Sequence, residues 1–188
     1  SYPNLGVPSI ESPLKNNIAT EKFTDAPIQV SIFSDFQCPY CSLLAKEFEK
    51  IAVRYKTKAN IQFYPYPLDS ECNPAMKSPM HPVACKASYI AACVSPEKFA
   101  AVHDHIFENQ SNLDAKWLDN YAEELGVYDC HKDPATKQKV LDLINIAKDF
   151  NVASTPIVIL NGVKIEGVRP LKQYYILMDA LVKEHAGK

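Results

Sequence analysis

Hydrophobic residues follow two different spacings along this chain, and the changes between them divide it into elements. Residues 28–36 are a short run rich in β-branched and aromatic side chains, which predicts a buried strand. After Cys38, apolar residues recur at the spacing of one helix face, which predicts a helix ending near Lys56. Residues 61–64 predict a second strand. It is close enough in sequence to be joined to the first by a strand–helix–strand crossover, so the two strands should be parallel.

Helical spacing continues through the middle of the chain, over residues 65 to about 149. Prolines suited to first helical positions predict where helices begin, and a glycine predicts where one ends. The predicted boundaries are starts at Pro82, Ser95-Pro96 and Asp133-Pro134 and an end at Gly126. The aromatic and aliphatic side chains of these helices are predicted to form an ordinary core.

The end of the chain returns to strands. Residues 156–160 predict a strand, Asn161-Gly162 a two-residue hairpin turn, and residues 163–166 an antiparallel strand. A final helix is predicted over residues 170–185. The order is strand–helix–strand, a helical block, then strand–strand–helix, which is an α/β fold with a central mixed sheet flanked by helices.

The domain organisation follows from this order. Residues 1–25 contain three prolines and little periodicity, so they predict an extended lead-in with at most one short element. Residues 26–188 are predicted as one domain, with a helical insertion at about 67–150. Because the sequence begins Ser1-Tyr-Pro, we expect a processed form or a soluble piece of a longer protein.

Composition and charge narrow the class of protein. The chain has 188 residues, 47% of them hydrophobic and 22% charged, which is typical of a soluble globular protein with a real core. The net charge is −2, with lysine and arginine scattered along the sequence. This argues against a nucleic-acid or anionic-membrane surface. The sequence contains no signal peptide or membrane-spanning run.

Two cysteines stand where the first strand becomes a helix, in the segment Cys38-Pro39-Tyr40-Cys41. Cys38 is expected at the helix cap and Pro39 at the first helical position, where its missing N–H does no harm. The unpaired amides and positive dipole end of the helix favour a Cys38 thiolate. Cys41 falls on the same face, with roughly 5–6 Å between the Cβ atoms, whereas a disulfide needs about 3.5–4.5 Å. A disulfide there would be somewhat strained and easily reduced, which favours redox exchange.

Other uses of this pair are a structural disulfide or half of a zinc site. A zinc site would need a second pair at similar spacing, and the sequence has none. The even total of six cysteines is consistent with three bridges and with an oxidising compartment. Reduced, buried cysteines are the alternative.

The four remaining cysteines allow three pairings among Cys72, Cys85, Cys93 and Cys130. Cys85 and Cys93 lie about two turns apart on one predicted helix, roughly 12 Å along its axis, which is too far to bridge. We favour structural disulfides Cys72–Cys85 and Cys93–Cys130, and Cys72–Cys93 with Cys85–Cys130 stays open. Electron relay by one such pair is a further alternative, although none has C-x-x-C spacing.

A zinc site is an alternative use of four of these side chains: Cys72, His81, Cys85 and His131. We expect no metal, and His81 is predicted simply to cap the helix at Pro82. His103 and His105 are two residues apart on a helix, so they face different ways and make a poor metal pair. No catalytic histidine is assigned.

The element order and two motifs resemble the DsbA-like branch of the thioredoxin fold. The first motif is Phe33-Ser-Asp-Phe-Gln-Cys-Pro-Tyr-Cys41, and the second is Thr155-Pro156 followed by a strand and Asn161-Gly162. The resemblance covers roughly residue 26 to the end. A narrower resemblance, to the thioredoxin-like domains fused to bacterial vitamin K epoxide reductase homologues, rests on Tyr66-Pro67-Leu68-Asp69, Cys72-Asn73, His81-Pro82 and Ala84-Cys85.

The resemblance implies roles for matching residues. Cys38 would be the exposed nucleophile and Cys41 its shielded resolving partner, with Pro39-Tyr40 tuning the pair. Pro156 would be a cis proline packed against the disulfide, and Thr155 would offer backbone groups to a substrate in strand-like pairing. The alternative for Thr155-Pro156 is an ordinary trans turn before a strand.

One position departs from the family. Members often carry a buried acidic residue six positions before the first cysteine, where it accepts a proton from the second, and this chain has Ile32 there. Asp35 is nearby, but its strand parity is opposite, so it should point to the other face. Deprotonation of Cys41 would then depend on water or on an unidentified group.

The resemblance implies an extracytoplasmic or periplasmic thiol–disulfide oxidoreductase that acts on cysteine-containing proteins as an oxidase, without a cofactor. Any signal or membrane domain would lie outside this sequence. Reoxidation would need a membrane partner of DsbB or vitamin K epoxide reductase type, and we expect a monomer because a dimerisation extension is missing. The alternatives are a reductase or isomerase, the redox domain of a vitamin K epoxide reductase-type fusion, or a binding module in which the cysteine pair is locked.

Overall fold

The computed structural model describes residues 2–188. Its strands in chain order are β1 (Lys15–Asn17), β2 (Ile28–Ser34), β3 (Ala59–Pro65), β4 (Ile157–Leu160) and β5 (Val163–Glu166). Its helices are α1 (Pro39–Arg54), α2 (Ala84–Cys93), α3 (Pro96–Glu108), α4 (Ala115–Leu125), α5 (Tyr128–Lys132), α6 (Pro134–Asn145) and α7 (Leu171–Ala186). Over the described residues, no helix combines the length and apolar character needed to cross a membrane.

The first half of the sheet is the predicted strand–helix–strand unit. Strands β2 and β3 are parallel, in register from Ile28 opposite Ala59 to Ser34 opposite Pro65, which confirms the predicted crossover. The apolar stripe of α1 is buried against them because its spacing places those side chains on one face. Strand β2 stops at Ser34, two residues short of the prediction, and the chain then turns toward Cys38.

The second half is the predicted hairpin and final helix. Strand β4 pairs antiparallel with β2 on one side and with β5 on the other. The turn residues Asn161 and Gly162 both have positive φ, 47° and 84°, as a two-residue hairpin turn requires. A Cβ on Gly162 would also meet the side-chain oxygen of Asn4, so a larger residue would displace that side chain in addition to straining the turn.

The lead-in contributes to the sheet. Strand β1 pairs antiparallel with β3, which gives the strand order β1-β3-β2-β4-β5. Before it, the Ser12 amide donates to the side-chain oxygens of Gln62, at 2.9 Å, and Tyr64, at 3.1 Å. The residues ahead of the first predicted strand are therefore attached to the edge of the sheet.

The helical block begins later than predicted. Residues 66–83 form an irregular loop, and α2 begins at Ala84 rather than at Pro82. Polar side chains organise this loop: Asp69 accepts from the amides of Glu71 and Cys85, and the Asn73 side chain donates to the carbonyl of Pro67. Such local bonds compete with helix formation, which explains the difference. Helix α3 begins at Pro96 after Ser95, as predicted, but the Ser95 side chain makes no capping hydrogen bond.

The sheet separates two cores. On one face α1 and α7 pack together, with Phe48 and Tyr174 in edge-to-face contact at 5.3 Å between ring centroids. On the other face the helical block covers the sheet through aromatic residues that include Phe36, Phe63 and Phe107. Both cysteines of the Cys38-to-Cys41 segment belong to this second core.

Candidate active site

The turn between β2 and α1 places the Cys38 sulfur at a helix N-terminus. Cys38 is the N-cap residue, with φ −77° and ψ 120°, and Pro39 occupies the first helical position, as predicted. The backbone amide of Cys41 donates to the Cys38 sulfur at 3.4 Å. The sulfur thus occupies the place that a serine or aspartate oxygen takes in an ordinary cap, where amides and the helix dipole favour negative charge.

The two sulfurs are free thiols with opposite acidities. The pKa of Cys38 is lowered from 9.0 to about 6, chiefly because the Cys41 thiol donates to its thiolate, with the Thr155 hydroxyl and the Cys41 amide contributing. Burial and the charge of Asp35 act in the other direction. The pKa of Cys41 is raised, mainly by burial and then by its bond to Cys38. At neutral pH the pair therefore holds one thiolate, on Cys38, and one proton, on Cys41.

The loop before β4 lies directly against Cys38. The Thr155–Pro156 peptide bond is cis, and the Thr155 carbonyl lies 3.8 Å from the Cys38 sulfur. The hydroxyl of Thr155 is buried and has no hydrogen-bond partner within residues 2–188 when Cys38 is a thiol, so it is free to donate to a Cys38 thiolate. The resemblance placed Thr155 and Pro156 beside the cysteine pair, and the structure has Thr155 in contact with Cys38 and a cis bond to Pro156.

The rim of the site is open and partly apolar. The prediction that Cys38 is exposed is wrong: Cys38 is 5% exposed, because it belongs to the core under the helical block and the Thr155 carbonyl lies against its sulfur. Cys41 is more deeply buried, at 1%. Tyr40 in the same turn is 64% exposed and Leu43 is 49% exposed. An incoming polypeptide would meet these side chains first, which makes this surface suited to contacts with unfolded or extended chains.

Two glutamines from different parts of the chain hold the turn before Cys38. The Gln110 side-chain amide donates to the carbonyls of Phe36, at 2.8 Å, and Cys38, at 2.9 Å. The Gln37 side-chain oxygen accepts from the Val83 amide at 2.8 Å. Sequence reasoning missed both contacts. Neither glutamine stands in a recognisable motif, so only the tertiary fold reveals them.

A buried carboxylate also lies in this turn. Asp35 is fully buried, and its carboxylate accepts from the amides of Gln37, at 2.7 Å, and Leu68, at 2.8 Å. Its side chain lies on the face opposite Ile32, as strand parity predicted, since Ile32 belongs to the core of α1 and α7. That face is also the one that holds the cysteines, so an acidic group does stand near the pair.

The prediction that His81 caps a helix is wrong. Helix α2 begins at Ala84, its N-cap is Val83, and no side chain caps it. The His81 ring instead lies with Nδ1 2.7 Å from the Asp35 carboxylate. The signal that could have found this pair is the adjacency of Asp35 to the cysteine motif combined with a histidine in a proline-rich, non-helical segment.

The other four cysteines form disulfides in the structure. Cys72 is bonded to Cys85 and Cys93 to Cys130, the pairing favoured from the sequence. A zinc site formed by two of these cysteines with His81 and His131 is therefore wrong, because disulfide sulfurs cannot ligate as thiolates. The same bond removes Cys85 as a ligand beside Asp69 and Glu71, the one group of suitable side chains found close together within residues 2–188.

His103 and His105, both on α3, are packed against aromatic side chains. His103 is 4% exposed among Phe36, Phe63, Phe99 and Phe107, whereas His105 stacks on Trp117. The two rings face different ways, as their spacing on the helix predicted. Neither makes a hydrogen bond to the cysteine pair.

Comparison with known proteins agrees with this geometry. The family model described as Thioredoxin matches residues 23–180. Disulfide bond formation protein D of Bacillus subtilis is 25% identical over 176 residues, covering 87% of this chain and 75% of that protein.

Two solved structures share the fold at low identity. The alpha-DsbA1 of Wolbachia pipientis superposes with a TM-score of 0.75 at 19% identity, covering 95% of this chain and 96% of that one. The catalytic domain of Proteus mirabilis ScsC does so with a TM-score of 0.71 at 19% identity, covering 95% and 92%. The chain therefore belongs to the thioredoxin family and is a DsbA-like thiol–disulfide oxidoreductase within it.

Proposed function

We propose that the protein is an oxidase that transfers its Cys38–Cys41 disulfide to cysteine-containing proteins. A substrate thiolate attacks the Cys38 sulfur, the Cys38–Cys41 bond breaks, and Cys41 leaves and takes up a proton. A second substrate thiolate then attacks the substrate sulfur of the mixed disulfide and displaces the Cys38 thiolate. Two electrons pass from the substrate, which gains a disulfide, to the cysteine pair.

The capped Cys38 sulfur carries this proposal. A thiolate stabilised by the Cys41 amide and thiol, with a pKa of about 6, is a good leaving group from the mixed disulfide. It also stabilises the reduced form of the pair relative to its disulfide, which makes the disulfide a strong oxidant. The raised pKa of Cys41 ensures that Cys41, once released, is protonated and does not compete as a nucleophile.

The neighbouring residues have supporting roles in this mechanism. Pro39 and Tyr40 shape the first helical turn, so that the Cys41 amide points at the Cys38 sulfur. Pro156 would set the direction of the Thr155 backbone through its cis bond, and Thr155 would present backbone groups for strand-like pairing with the substrate and a hydroxyl near the attacked sulfur.

The proposed location is periplasmic or otherwise extracytoplasmic. Two disulfides outside the active site, Cys72–Cys85 and Cys93–Cys130, would serve as structural links and would persist in an oxidising compartment. The Salmonella enterica structure that resembles this chain, at 20% identity with a TM-score of 0.70, is described as a periplasmic thioredoxin-like protein. The reduced pair would return its electrons to a membrane partner of DsbB or vitamin K epoxide reductase type, separate or fused, and the protein would act as a monomer.

Equilibration with glutathione tests the direction of electron flow. The oxidase account predicts a reduction potential near −120 mV, whereas a value near −270 mV would mean a reductase or isomerase. Because the other four cysteines are already paired, the same measurement on Cys38→Ser gives the background. That variant should fold normally and lose all oxidation of a reduced model substrate.

Cys41→Ser sharpens the test. When this variant is given a peptide that contains a disulfide, the Cys38 thiolate should attack that disulfide, release one of its sulfurs as a thiol, and form a mixed disulfide. With no Cys41 thiol to displace the peptide, the mixed disulfide should accumulate and be detectable by mass spectrometry at Cys38. An unreactive pair in the wild-type protein, with neither oxidation of a reduced substrate nor reduction of insulin, would favour a binding module and would contradict the enzyme mechanism.

A further inference from the structure

The carboxylate of Asp35 is the centre of the turn that delivers Cys38. One carboxylate oxygen accepts from the Gln37 amide and the other from the Leu68 amide, and the Asp35 carbonyl accepts from the Cys38 amide at 3.1 Å. A single fully buried residue therefore ties together the end of β2, the start of the 66–83 loop and the N-cap cysteine.

The imidazole of His81 completes the bonding of this carboxylate. Its Nδ1 lies 2.7 Å from the same Asp35 oxygen that accepts from Leu68, and its side chain is 20% exposed. Since a carboxylate only accepts hydrogen bonds, Nδ1 must carry the hydrogen. The His81 backbone is fixed as well, because its amide donates to the Leu68 carbonyl at 2.9 Å.

The 66–83 loop holds His81 in this place through independent links. The Cys72–Cys85 disulfide closes the loop onto α2, and the Val83 amide donates to Gln37 in the active-site turn. Within residues 2–188, His81 is the one basic side chain within ion-pair distance of the Asp35 carboxylate. The hydrogen bond from this single group, which the loop supplies, therefore offsets part of the Asp35 charge.

This balance matters because the Asp35 charge lies close enough to Cys38 to oppose its ionisation. A fully buried carboxylate that lost its imidazole partner would act on the thiolate with its whole negative charge, in surroundings where charges are weakly screened. The same loss would leave one carboxylate oxygen with fewer donors and loosen the turn that makes Cys38 the N-cap.

We propose that His81 is a positioning residue that acts through Asp35: it fixes the carboxylate that builds the Cys38 turn and offsets its charge beside the sulfur. The pair thereby sets how strongly the Cys38–Cys41 disulfide oxidises substrates. This inference deepens the proposed oxidase function and names the residues that poise the same site. It assigns no proton transfer to His81 and no contact of His81 with substrate.

A set of three variants tests the proposal: His81→Leu, Asp35→Asn, and the two combined. His81→Leu should raise the pKa of Cys38 and shift the equilibrium with glutathione about five- to tenfold toward the Cys38–Cys41 disulfide, a less oxidising pair. Asp35→Asn removes the opposing charge, so it should lower the pKa of Cys38. Because His81 acts through Asp35, the double variant should match Asp35→Asn in both quantities. His185→Leu, at an exposed position near the end of α7, is the matched control and should change neither.

The opposite signs separate this role from a merely structural one. A general loosening of the turn would shift Cys38 in the same direction in all three variants, and the double variant would be the most perturbed. That pattern, or a His81→Leu protein within twofold of wild type in the glutathione equilibrium, would overturn the proposal. If His81→Leu does not fold, His81→Ala also removes the donor to Asp35, and the same criteria apply to it.

The result is independent of the test of the proposed function. A wild-type reduction potential in the range of a reductase would contradict the oxidase account. The variants would still show whether His81 changes the reduction potential of the Cys38–Cys41 pair. Conversely, the wild-type protein could be strongly oxidising while His81→Leu has the same glutathione equilibrium. That result would support the oxidase proposal and contradict the role proposed for His81.

Discussion

On one face of the sheet, α1 and α7 pack through apolar and aromatic side chains, whereas on the other face polar side chains also reach the turn before Cys38. On the first face, Phe48 and Tyr174 are in contact within a buried core that includes Leu44 and Met178. On the second face, Gln110 donates to two carbonyls of the active-site turn, and His81 is bonded to Asp35.

The difference separates stability from reactivity. Apolar packing is non-directional, so the α1–α7 face can hold the fold together without specifying where a sulfur sits. Hydrogen bonds fix geometry, and besides the bonds made within the turn itself, Gln110, His81 and the Leu68 amide, all between β3 and β4, bond to it. The inserted block is therefore more than an addition to the thioredoxin core, because it positions the reacting atom.

The largest expected effects come from truncating one phenylalanine on each face. Phe48→Ala and Phe107→Ala should each lower the free energy of unfolding by about 3–5 kcal/mol, because both side chains are at most 5% exposed and leave cavities. Only Phe107 touches the active-site turn, through Phe36 at 4.9 Å between ring centroids. Urea unfolding should therefore show similar losses of stability in the two variants. The alkylation rate of Cys38 should change in Phe107→Ala alone.

The comparison would fail if Phe48→Ala altered Cys38 as much as Phe107→Ala did. Both proteins should be measured in the reduced form, at a temperature where each remains folded. Under those conditions a change in the alkylation rate reports the local environment of the sulfur rather than global unfolding.

Removing the disulfides should have a similar effect on stability, toward the lower end of that range. By the loop-entropy relation, replacing Cys93 and Cys130, 37 residues apart, with alanine should lower the free energy of unfolding by about 4 kcal/mol. The same change at Cys72 and Cys85, 13 residues apart, should cost about 3 kcal/mol. The second variant also frees the loop that carries His81, so we expect the glutathione equilibrium of the active pair to move only there. A shift in the first variant alone would contradict this assignment.

The smallest effect is expected for Gln110→Ala. Two carbonyls in the active-site turn lose a donor, which should lower the free energy of unfolding by about 1–2 kcal/mol and slow substrate oxidation a few-fold. Gln138→Ala is a matched control, since Gln138 is exposed and bonds only to Asp142 within residues 2–188. It should remain within about 0.5 kcal/mol of wild type. Equal effects of the two substitutions would contradict the claim that the Gln110 hydrogen bonds hold the active-site turn.

Much of the architecture could be predicted from sequence because it depends on local signals. The strand preceding Cys38, the proline at the first helical position and the Asn161-Gly162 turn each have a short-range physical cause, and the structure contains all three. Residues 66–83 were predicted as part of the helical block and are not helical. Their side chains of Asp69 and Asn73 bond to the local backbone, which spacing alone does not reveal.

Of the candidate site, the sequence predicted the cysteine pair and the two residues of the second motif, but not the side chains that hold the turn. The placement of Cys38 at a helix cap follows from one contiguous motif, and the motif match also brought Thr155 and Pro156 beside it. The contacts of Gln110 and His81 join residues more than forty positions apart through hydrogen bonds that leave no periodic trace. Strand parity placed Asp35 opposite Ile32 correctly, but it could not show which of the two faces holds the cysteines.

The ionisation of Cys38 also has a consequence for stability. Folding lowers its pKa from 9.0 to about 6, so the reduced protein gains stability that is complete above about pH 9 and is lost as the pH falls through about 6. Chemical denaturation of the reduced and oxidised forms should show their difference changing over this window, since the disulfide form has no thiol to ionise at Cys38.

The most direct test is the rate of Cys38 alkylation in the reduced wild-type protein as a function of pH, read at that residue by mass spectrometry. The capped sulfur should become reactive with a midpoint near pH 6. A midpoint near 8.5, the value of an ordinary free cysteine, would contradict the account.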